Sequence, residues 1–235
     1  MNVGSVQAAK GAYGPAIYKF GFNPAIGTDE ETVWDAGGLY SYISTAGSVS
    51  VVSSDAADDI SGTGAQKITI DGLDENWLPK SLEVDMDGTS STTVASTFIR
   101  VFRSFVSQAG SGEVNAGDIT LSIGGTTVAK ISADMGQTLM AVYTIPAGFT
   151  GYITQWSFSS GASASNKYLD GRLIVRKNAG IIQTKARSTV QNTAFVQDLQ
   201  KATVVNEKDD IEIRAKTSSG TDAVSGTFSV LLKRN

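Results

Sequence analysis

Hydrophobic and polar residues alternate with a two-residue period in many short segments of the chain. The clearest is DITLSIGGTTVAKI, where the apolar residues of ITLSI fall on one face of a strand. The two glycines that follow can supply the positive φ angles of a two-residue turn. Such a turn pairs Ile123 with Thr126 and Leu121 with Val128 across the strands. The segment therefore predicts a β-hairpin.

Other segments are also rich in Val, Ile, Thr and aromatic residues and are bounded by Gly, Asn, Asp or Ser. Turn residues recur about every 8 to 12 positions, a spacing typical of sandwiches and barrels. We therefore predict an all-β, antiparallel β-sandwich, of which the jelly roll is one form. The predicted strands are Ser48 to Ser53, Gln66 to Asp71, Lys80 to Met86, Phe98 to Gln108, Leu139 to Ile145, Gly151 to Phe158, Tyr168 to Arg176, Ile181 to Thr189, Asp210 to Lys216 and Ser225 to Lys233.

The chain divides into three regions that differ in the pattern of their residues. Residues 1–40 carry many aromatic residues with little alternation, which predicts an extended N-terminal arm. Residues 41–158 form the predicted sandwich, and the polar stretch Ser159 to Asn166 marks an exposed loop or a break. Residues 167–235 either complete the same sandwich or form a second small β subdomain.

One segment, TDEETVWDAGG, has the features of a short helix. Thr28 and Glu31 match the capping-box spacing, and Gly37 could end the helix. The same residues also fit a loop whose Trp34 fills a core. Both alternatives stay open from the sequence.

Composition narrows the classes of function. The 235 residues include neither histidine nor cysteine, so Ser-His-Asp and Cys-His catalysis, HExxH zinc sites and disulfides are excluded. We therefore expect no enzymatic activity and no cofactor. The net charge of −4 argues against nucleic acid as a partner. No apolar run approaches the roughly 20 residues of a membrane span, and the first ten residues lack a secretory signal, so we expect synthesis in a cytoplasm.

The sequence offers two further kinds of candidate binding site, one for calcium and one for a sugar. Three acidic clusters, around Asp58, Asp74 and Asp87, could offer oxygen ligands to calcium, but none completes an EF-hand spacing. We interpret them as turns and predict no metal site. The tryptophans Trp77 and Trp156, together with Trp34, could line a sugar groove, although a single Trp in a segment is typical of a core or interface anchor.

Several segments, in this order, resemble a group of virion structural proteins of tailed bacteriophages, particularly phages of aquatic bacteria. The resemblance spans most of the chain and rests on strand and turn signatures, which indicate a shared scaffold. The segments are IYKFGFNPAIG, EETVWDAGG, VVSSDAADDISGTGAQKITIDGLDENW, STFIRVFRSFV, AGSGEVNAGDITL, GQTLMAVYTIPAGFTGYI and NEKDDIEIRAK.

The resemblance implies a β-rich, oligomeric particle component on the outer surface of the virion, made in the host cytoplasm. Our leading hypothesis is a capsid decoration or cement protein that forms homo-oligomers, with a trimer favoured, and bridges subunits of the major capsid protein or another virion protein. The alternative is a tail, fibre or knob adhesin that binds a host glycan or surface protein. The candidate capsid or inter-subunit contacts are Tyr13, Tyr18, Phe20, Phe22 and Trp34.

Overall fold

The computed structural model describes residues 14–161, 167–178 and 180–235, and every regular element in these residues is a β-strand. None of the described segments is a helix that could cross a membrane. By its internal contacts the chain divides into two compact units. The first consists of Met1–Leu39 and Met140–Asn235, and the second is Tyr40–Leu139. The second unit is thus an insertion into the sequence of the first.

The first unit contains two antiparallel sheets. Its strands are β1 (Ala16–Ile26), β2 (Glu31–Thr32), β10 (Val142–Thr144), β11 (Phe149–Ser160), β12 (Leu169–Arg176), β13 (Ile182–Val190), β14 (Ala194–Val205), β15 (Asp210–Thr217) and β16 (Asp222–Arg234). One sheet has the strand order β1-β16-β11-β14. The other has the order β10-β15-β12-β13, and the short β2 pairs with β15. The eight strands in these two orders have the arrangement of a jelly roll, and the predicted sandwich is confirmed.

The core of the first unit lies between the two sheets. Trp156 and Phe158 are fully or almost fully buried, and their ring centroids are 5.2 Å apart. The sheets approach closely where Phe158 faces Gly171 of β12, because a Cβ atom at that glycine would lie 2.7 Å from the phenyl ring. Alternate residues of β11 and β12 thereby supply the apolar interior, as sheet-on-sheet packing requires.

The second unit is also built from two antiparallel sheets. Its strands are β3 (Gly47–Ser53), β4 (Ala65–Leu73), β5 (Pro79–Asp85), β6 (Thr92–Phe98), β7 (Arg100–Ala109), β8 (Ile119–Ile123) and β9 (Thr126–Ile131). The strand orders are β6-β3-β8-β9 and β5-β4-β7. Its buried apolar side chains include Val51, Ile68, Ile70 and Leu121, all with an exposed fraction of 1% or less. The predicted hairpin is present as β8 and β9.

The division of the chain differs from the predicted boundaries. Position 158 lies inside β11, and residues 167–235 belong to the same unit as β1 and β11. Turn spacing could not indicate this arrangement, because in the sequence the strands of the first unit come both before and after those of the second unit. The C-terminal residues therefore complete a sandwich, but with the N-terminal strand as partner.

The predicted arm is also partly corrected. Residues Ala16–Ile26 are extended, yet they form strand β1, which pairs with β16 over most of its length. The alternative of a helix over TDEETVWDAGG is wrong. Glu31 does not complete a capping box; its carboxylate accepts bonds from the backbone N–H groups of Gly27, at 2.8 Å, and Gly38, at 2.9 Å. These bonds hold a loop that contains β2.

Candidate assembly surface

Strand β1 turns its aromatic side chains away from the core. Tyr18 is 59% exposed, and Phe20 and Phe22 are partly exposed. The ring centroids of Tyr18 and Phe20 are 6.2 Å apart, so the aromatic side chains form a row along the strand. A half-buried strand ordinarily directs its apolar side chains toward the core. Three of the five predicted contact residues therefore lie together on one outward face.

The inner side of β1 explains this orientation. A Cβ atom at Gly21 would lie 2.2 Å from the carbonyl oxygen of Val33 and 2.4 Å from the amide nitrogen of Ala141. Backbone from two other segments thus packs where only glycine fits. Asn23, also on the inner side, accepts a hydrogen bond from the amide of Ala25 at 2.9 Å. Small and polar residues face inward, and the aromatic residues are left outside.

Strand register extends this row across the whole sheet. Each aromatic residue of β1 lies level with one outward residue on each of the other three strands, giving three rows of four residues that we call the assembly surface. Its two margins are formed by Tyr18, Phe20 and Phe22 on β1 and by Ala194, Val196 and Asp198 on β14. Its centre is formed by Ser225, Thr227 and Ser229 on β16 and by Gln155, Ser157 and Ser159 on β11.

The assembly surface carries almost no charge. Asp198 is its one charged residue, and the Gln155 side-chain amide donates a hydrogen bond to the Asp198 carboxylate at 2.8 Å. The hydroxyl oxygens of Ser157 and Thr227 lie 2.5 Å apart in the centre of the surface. A face with aromatic, aliphatic and hydroxyl side chains and little charge has the composition of a protein contact surface.

The other sheet of the first unit has the opposite character. Arg187 donates two hydrogen bonds to the Asp170 carboxylate, at 2.8 and 2.7 Å, and the Arg214 Nε donates to Glu212 at 2.8 Å. Burial raises the pKa of Glu212, while the neighbouring Arg214 opposes this shift. These charges are already paired within the unit. We therefore place the candidate contact on the outward face of the first sheet.

The remaining two candidate contacts are Trp34 and Tyr13, and Trp34 is not part of this surface. Trp34 is 3% exposed, and its indole N–H donates to the carbonyl oxygen of Gly38 at 3.0 Å, so it is a core residue rather than a contact residue. This corrects the prediction for Trp34 and agrees with the loop alternative. Tyr13 lies outside the described residues.

The other two tryptophans occupy different environments. Trp156 is fully buried, and its indole N–H donates to the Gln197 side chain at 2.8 Å. Trp77 is partly buried at a turn, with a backbone φ of 64°, and its ring lies 4.9 Å from the Arg100 guanidinium. The same guanidinium lies 5.2 Å from the ring of Tyr42. Arg100 is itself buried, so this stack lies at the edge of the second unit's hydrophobic core.

The acidic residues mainly organise turns. Asp58 is fully buried and accepts four hydrogen bonds: from the Ser53 hydroxyl and from the backbone amides of Ala65, Ala116 and Gly117, at 2.6 to 2.9 Å. Its oxygen atoms are thus occupied by donors, in line with the turn interpretation. No group of three acidic side chains in the described ranges is placed to hold a metal ion.

Sequence reasoning missed the β14 margin and the centre of the surface. A signal for the centre was available, because Ser157 alternates with the large residues Trp156 and Phe158, and Thr227 precedes Phe228. Strand β14 gave no such signal, since most of its side chains are exposed or partly exposed on both faces. The surface could therefore be found only from the register of the sheet.

Comparisons with known proteins give no family assignment. No protein-family model matches the chain, and no curated protein sequence matches it significantly. Among solved structures, the chain is similar to the infectious bursal disease virus VP2 subviral particle at 11% identity, over 93% of this chain and 72% of that chain, with a TM-score of 0.26. The structure of the infectious bursal disease virus Gt strain matches at 11% identity, 94% and 73% coverage, and a TM-score of 0.23. At these TM-scores neither similarity carries an argument about function.

Proposed function

We propose that this protein is a non-enzymatic structural component of a tailed-bacteriophage virion, a decoration or cement protein on the outer surface of the head. In this proposal the chain is made in the host cytoplasm and forms homo-oligomers, with a trimer favoured. The oligomers bridge neighbouring subunits of the major capsid protein. The phage assignment rests on the sequence resemblance, and the contact role rests on the assembly surface.

The observation that carries the contact role is the outward aromatic row of β1 on the nearly uncharged assembly surface. Exposed aromatic residues are enriched at protein interfaces, where they supply much of the binding energy. Charged residues are depleted in interface cores, and here Asp198 is the one charge among twelve outward positions. A surface of this kind is suited to protein contact more than to the recognition of an ion or a nucleic acid.

The proposed mechanism is differential binding. A protein that binds the assembled shell and not its separated subunits stabilises the shell by mass action, because rupture must first break the added contacts. No chemical step is required. The absence of histidine and cysteine from the sequence is compatible with this role.

The test is binding to empty capsids of the phage that encodes the chain, measured by co-sedimentation. We expect the double variant Tyr18→Ser, Phe20→Ser to bind at least about 30-fold more weakly, since losing an aromatic hot spot costs roughly 2 kcal/mol. The matched control is Tyr168→Ser, because Tyr168 is 50% exposed but lies outside the assembly surface. Circular dichroism checks that both variants fold.

Equal binding of the double variant and the wild type would contradict the contact role of β1. Absence of the protein from purified virions, measured by mass spectrometry, would contradict the virion assignment itself. The two results are independent. The first result would reject the assembly surface as the contact, and the second would reject the class of protein.

The adhesin alternative has narrower support. Of the tryptophans proposed to line a sugar groove, Trp34 and Trp156 are buried, and Trp77 stacks on Arg100. A glycan array with the purified protein tests this alternative directly. A signal lost in a Trp77→Ala variant, with capsid binding unchanged, would favour the adhesin.

A further inference from the structure

The assembly surface has an unusual distribution of apolar residues. They lie at its two lateral margins, with Phe20 at one side and Val196, 65% exposed, at the other. The centre between them consists of hydroxyl and amide side chains, such as Ser157 and Thr227. Interfaces formed face to face have the reverse pattern, an apolar centre with a polar rim. Apolar margins are instead suited to a contact made side by side.

Both margins are also edge strands of their sheet in the described part of the chain. Within the described residues, β1 has a single strand neighbour, β16, and β14 has a single strand neighbour, β11. Unpaired edge strands can pair with another chain, and soluble proteins normally block or cover such edges. Pro24 cannot donate to a ladder near the end of β1, whereas the stretch that carries Tyr18 and Phe20 contains no proline.

The direction of the strands allows the two edges to pair. Three antiparallel steps separate β1 from β14, so the two strands run in opposite directions. A second copy, rotated about an axis parallel to the strands, therefore presents its β14 antiparallel to β1 of the first copy. On the outward face of this junction no like charges meet, because Asp198 is the one charged residue among the outward residues of the two margins.

We infer that copies of this chain associate head to tail, with the β1 edge of one copy pairing with the β14 edge of the next. This contact places the aromatic row beside Val196 of the neighbouring copy, an aromatic and β-branched pairing that stabilises antiparallel strands. A closed ring of such contacts covers both open edges of every copy, whereas a two-fold contact between β1 edges would leave β14 open. The inference deepens the proposed function, on which it rests for the existence of a homo-oligomer.

The test uses the purified chain without capsids, so that its failure is distinct from failure of the virion assignment. Because the sequence contains no cysteine, introduced thiols are the only ones present. Tyr18→Cys, Phe20→Cys and Phe22→Cys are each mixed with Val196→Cys under oxidising conditions. Residues opposite each other in antiparallel strands have Cα atoms about 4.5 to 5.5 Å apart, within the range that a disulfide spans.

We expect at least one of the three mixtures to give a disulfide-linked dimer, while each single variant alone gives none. We also expect light scattering to show an oligomer for the wild type and a monomer for Val196→Lys, with Tyr168→Lys as the matched control that stays oligomeric. Cross-linking of a single β1 variant with itself would overturn the inference in favour of a two-fold contact. A monomeric wild type at every protein concentration would also overturn it.

Discussion

Replacement of Asp58 tests how the second unit holds its loops together. One carboxylate oxygen of Asp58 accepts bonds from the amides of Ala65, at 2.7 Å, and Ala116, at 2.8 Å. The other accepts from the Ser53 hydroxyl, at 2.6 Å, and the Gly117 amide, at 2.9 Å. Because the side chain is fully buried, water cannot replace it without opening the structure. One residue thus joins three separate stretches of chain.

The expected magnitudes differ between two substitutions. Asp58→Ala leaves three buried donors without an acceptor, the N–H groups of Ala65 and Gly117 and the Ser53 hydroxyl, and each costs roughly 1 to 3 kcal/mol, so we expect a loss of about 4 kcal/mol or more. Asp58→Asn keeps one acceptor oxygen and places an amide N–H against the Gly117 N–H. The Ser53 hydroxyl can rotate to accept, so we expect a smaller loss of about 2 to 3 kcal/mol.

The assay is urea unfolding combined with hydrogen exchange. Exchange should accelerate in peptides from residues 47–73 and remain unchanged in peptides from residues 210–234, because these belong to different units. Asp59→Asn is the control, since the neighbouring Asp59 is partly exposed and its carboxylate accepts bonds from the amide and the hydroxyl of Ser61 in the same turn. Equal effects of Asp58→Ala and Asp58→Asn, or a strong effect of the control, would refute the hydrogen-bond reasoning.

Three further predictions concern single residues. Gly21→Ala should destabilise the first unit by about 3 kcal/mol or more in urea unfolding, because its Cβ would meet the Val33 carbonyl oxygen at 2.2 Å; a stable variant would contradict the close approach. Burial raises the pKa of Glu212. The stabilisation that this side chain contributes is therefore complete below its pKa in the unfolded chain and is lost as the pH rises through its pKa in the folded protein. The stability of the wild type relative to Glu212→Gln should therefore fall as the pH rises, in unfolding curves measured across acid pH; a constant difference would argue against it. Arg100→Lys should cost roughly 1 to 2 kcal/mol, read from the unfolding midpoint, because lysine cannot stack as a plane against Trp77; a neutral result would show that charge alone matters there.

The hairpin β8–β9 shows what the sequence could predict and where it stopped. Its turn and the pair Ile123 with Thr126 are confirmed. Leu121, however, pairs with Ala129 and not with Val128, because a bulge lies between Leu121 and Ser122. Alternation could not indicate the bulge, since Val128 and Ala129 are both apolar and both buried. Local turn chemistry is legible in a sequence, whereas a one-residue shift in register is not.

Strand β14 shows a different limit. Its residues Ala194–Val205 are mostly exposed or partly exposed, and four of them, from Leu199 to Ala202, lie between two paired stretches of β14 without a partner on β11. A strand that buries neither face gives no two-residue pattern. Its existence depends on hydrogen bonds to a strand distant in sequence, and those become visible only once β11 is placed. The β14 margin of the assembly surface could therefore not be predicted from the sequence.

Strand β1 directs its aromatic side chains outward, which is the reverse of the usual orientation of apolar side chains in a half-buried strand. From Tyr18 to Asn23 outer and inner positions alternate, with Lys19, Gly21 and Asn23 inside and the aromatic residues outside. An inner face of this composition buries little apolar side-chain surface, so the strand is held mainly by its hydrogen-bond ladder with β16. The apolar surface that would normally anchor an edge strand within its own chain is available to another chain. If β1 gains its remaining stabilisation from a neighbouring copy, then folding of this edge and assembly of the protein are coupled, and the aromatic row is retained outside because burial there occurs only in the oligomer.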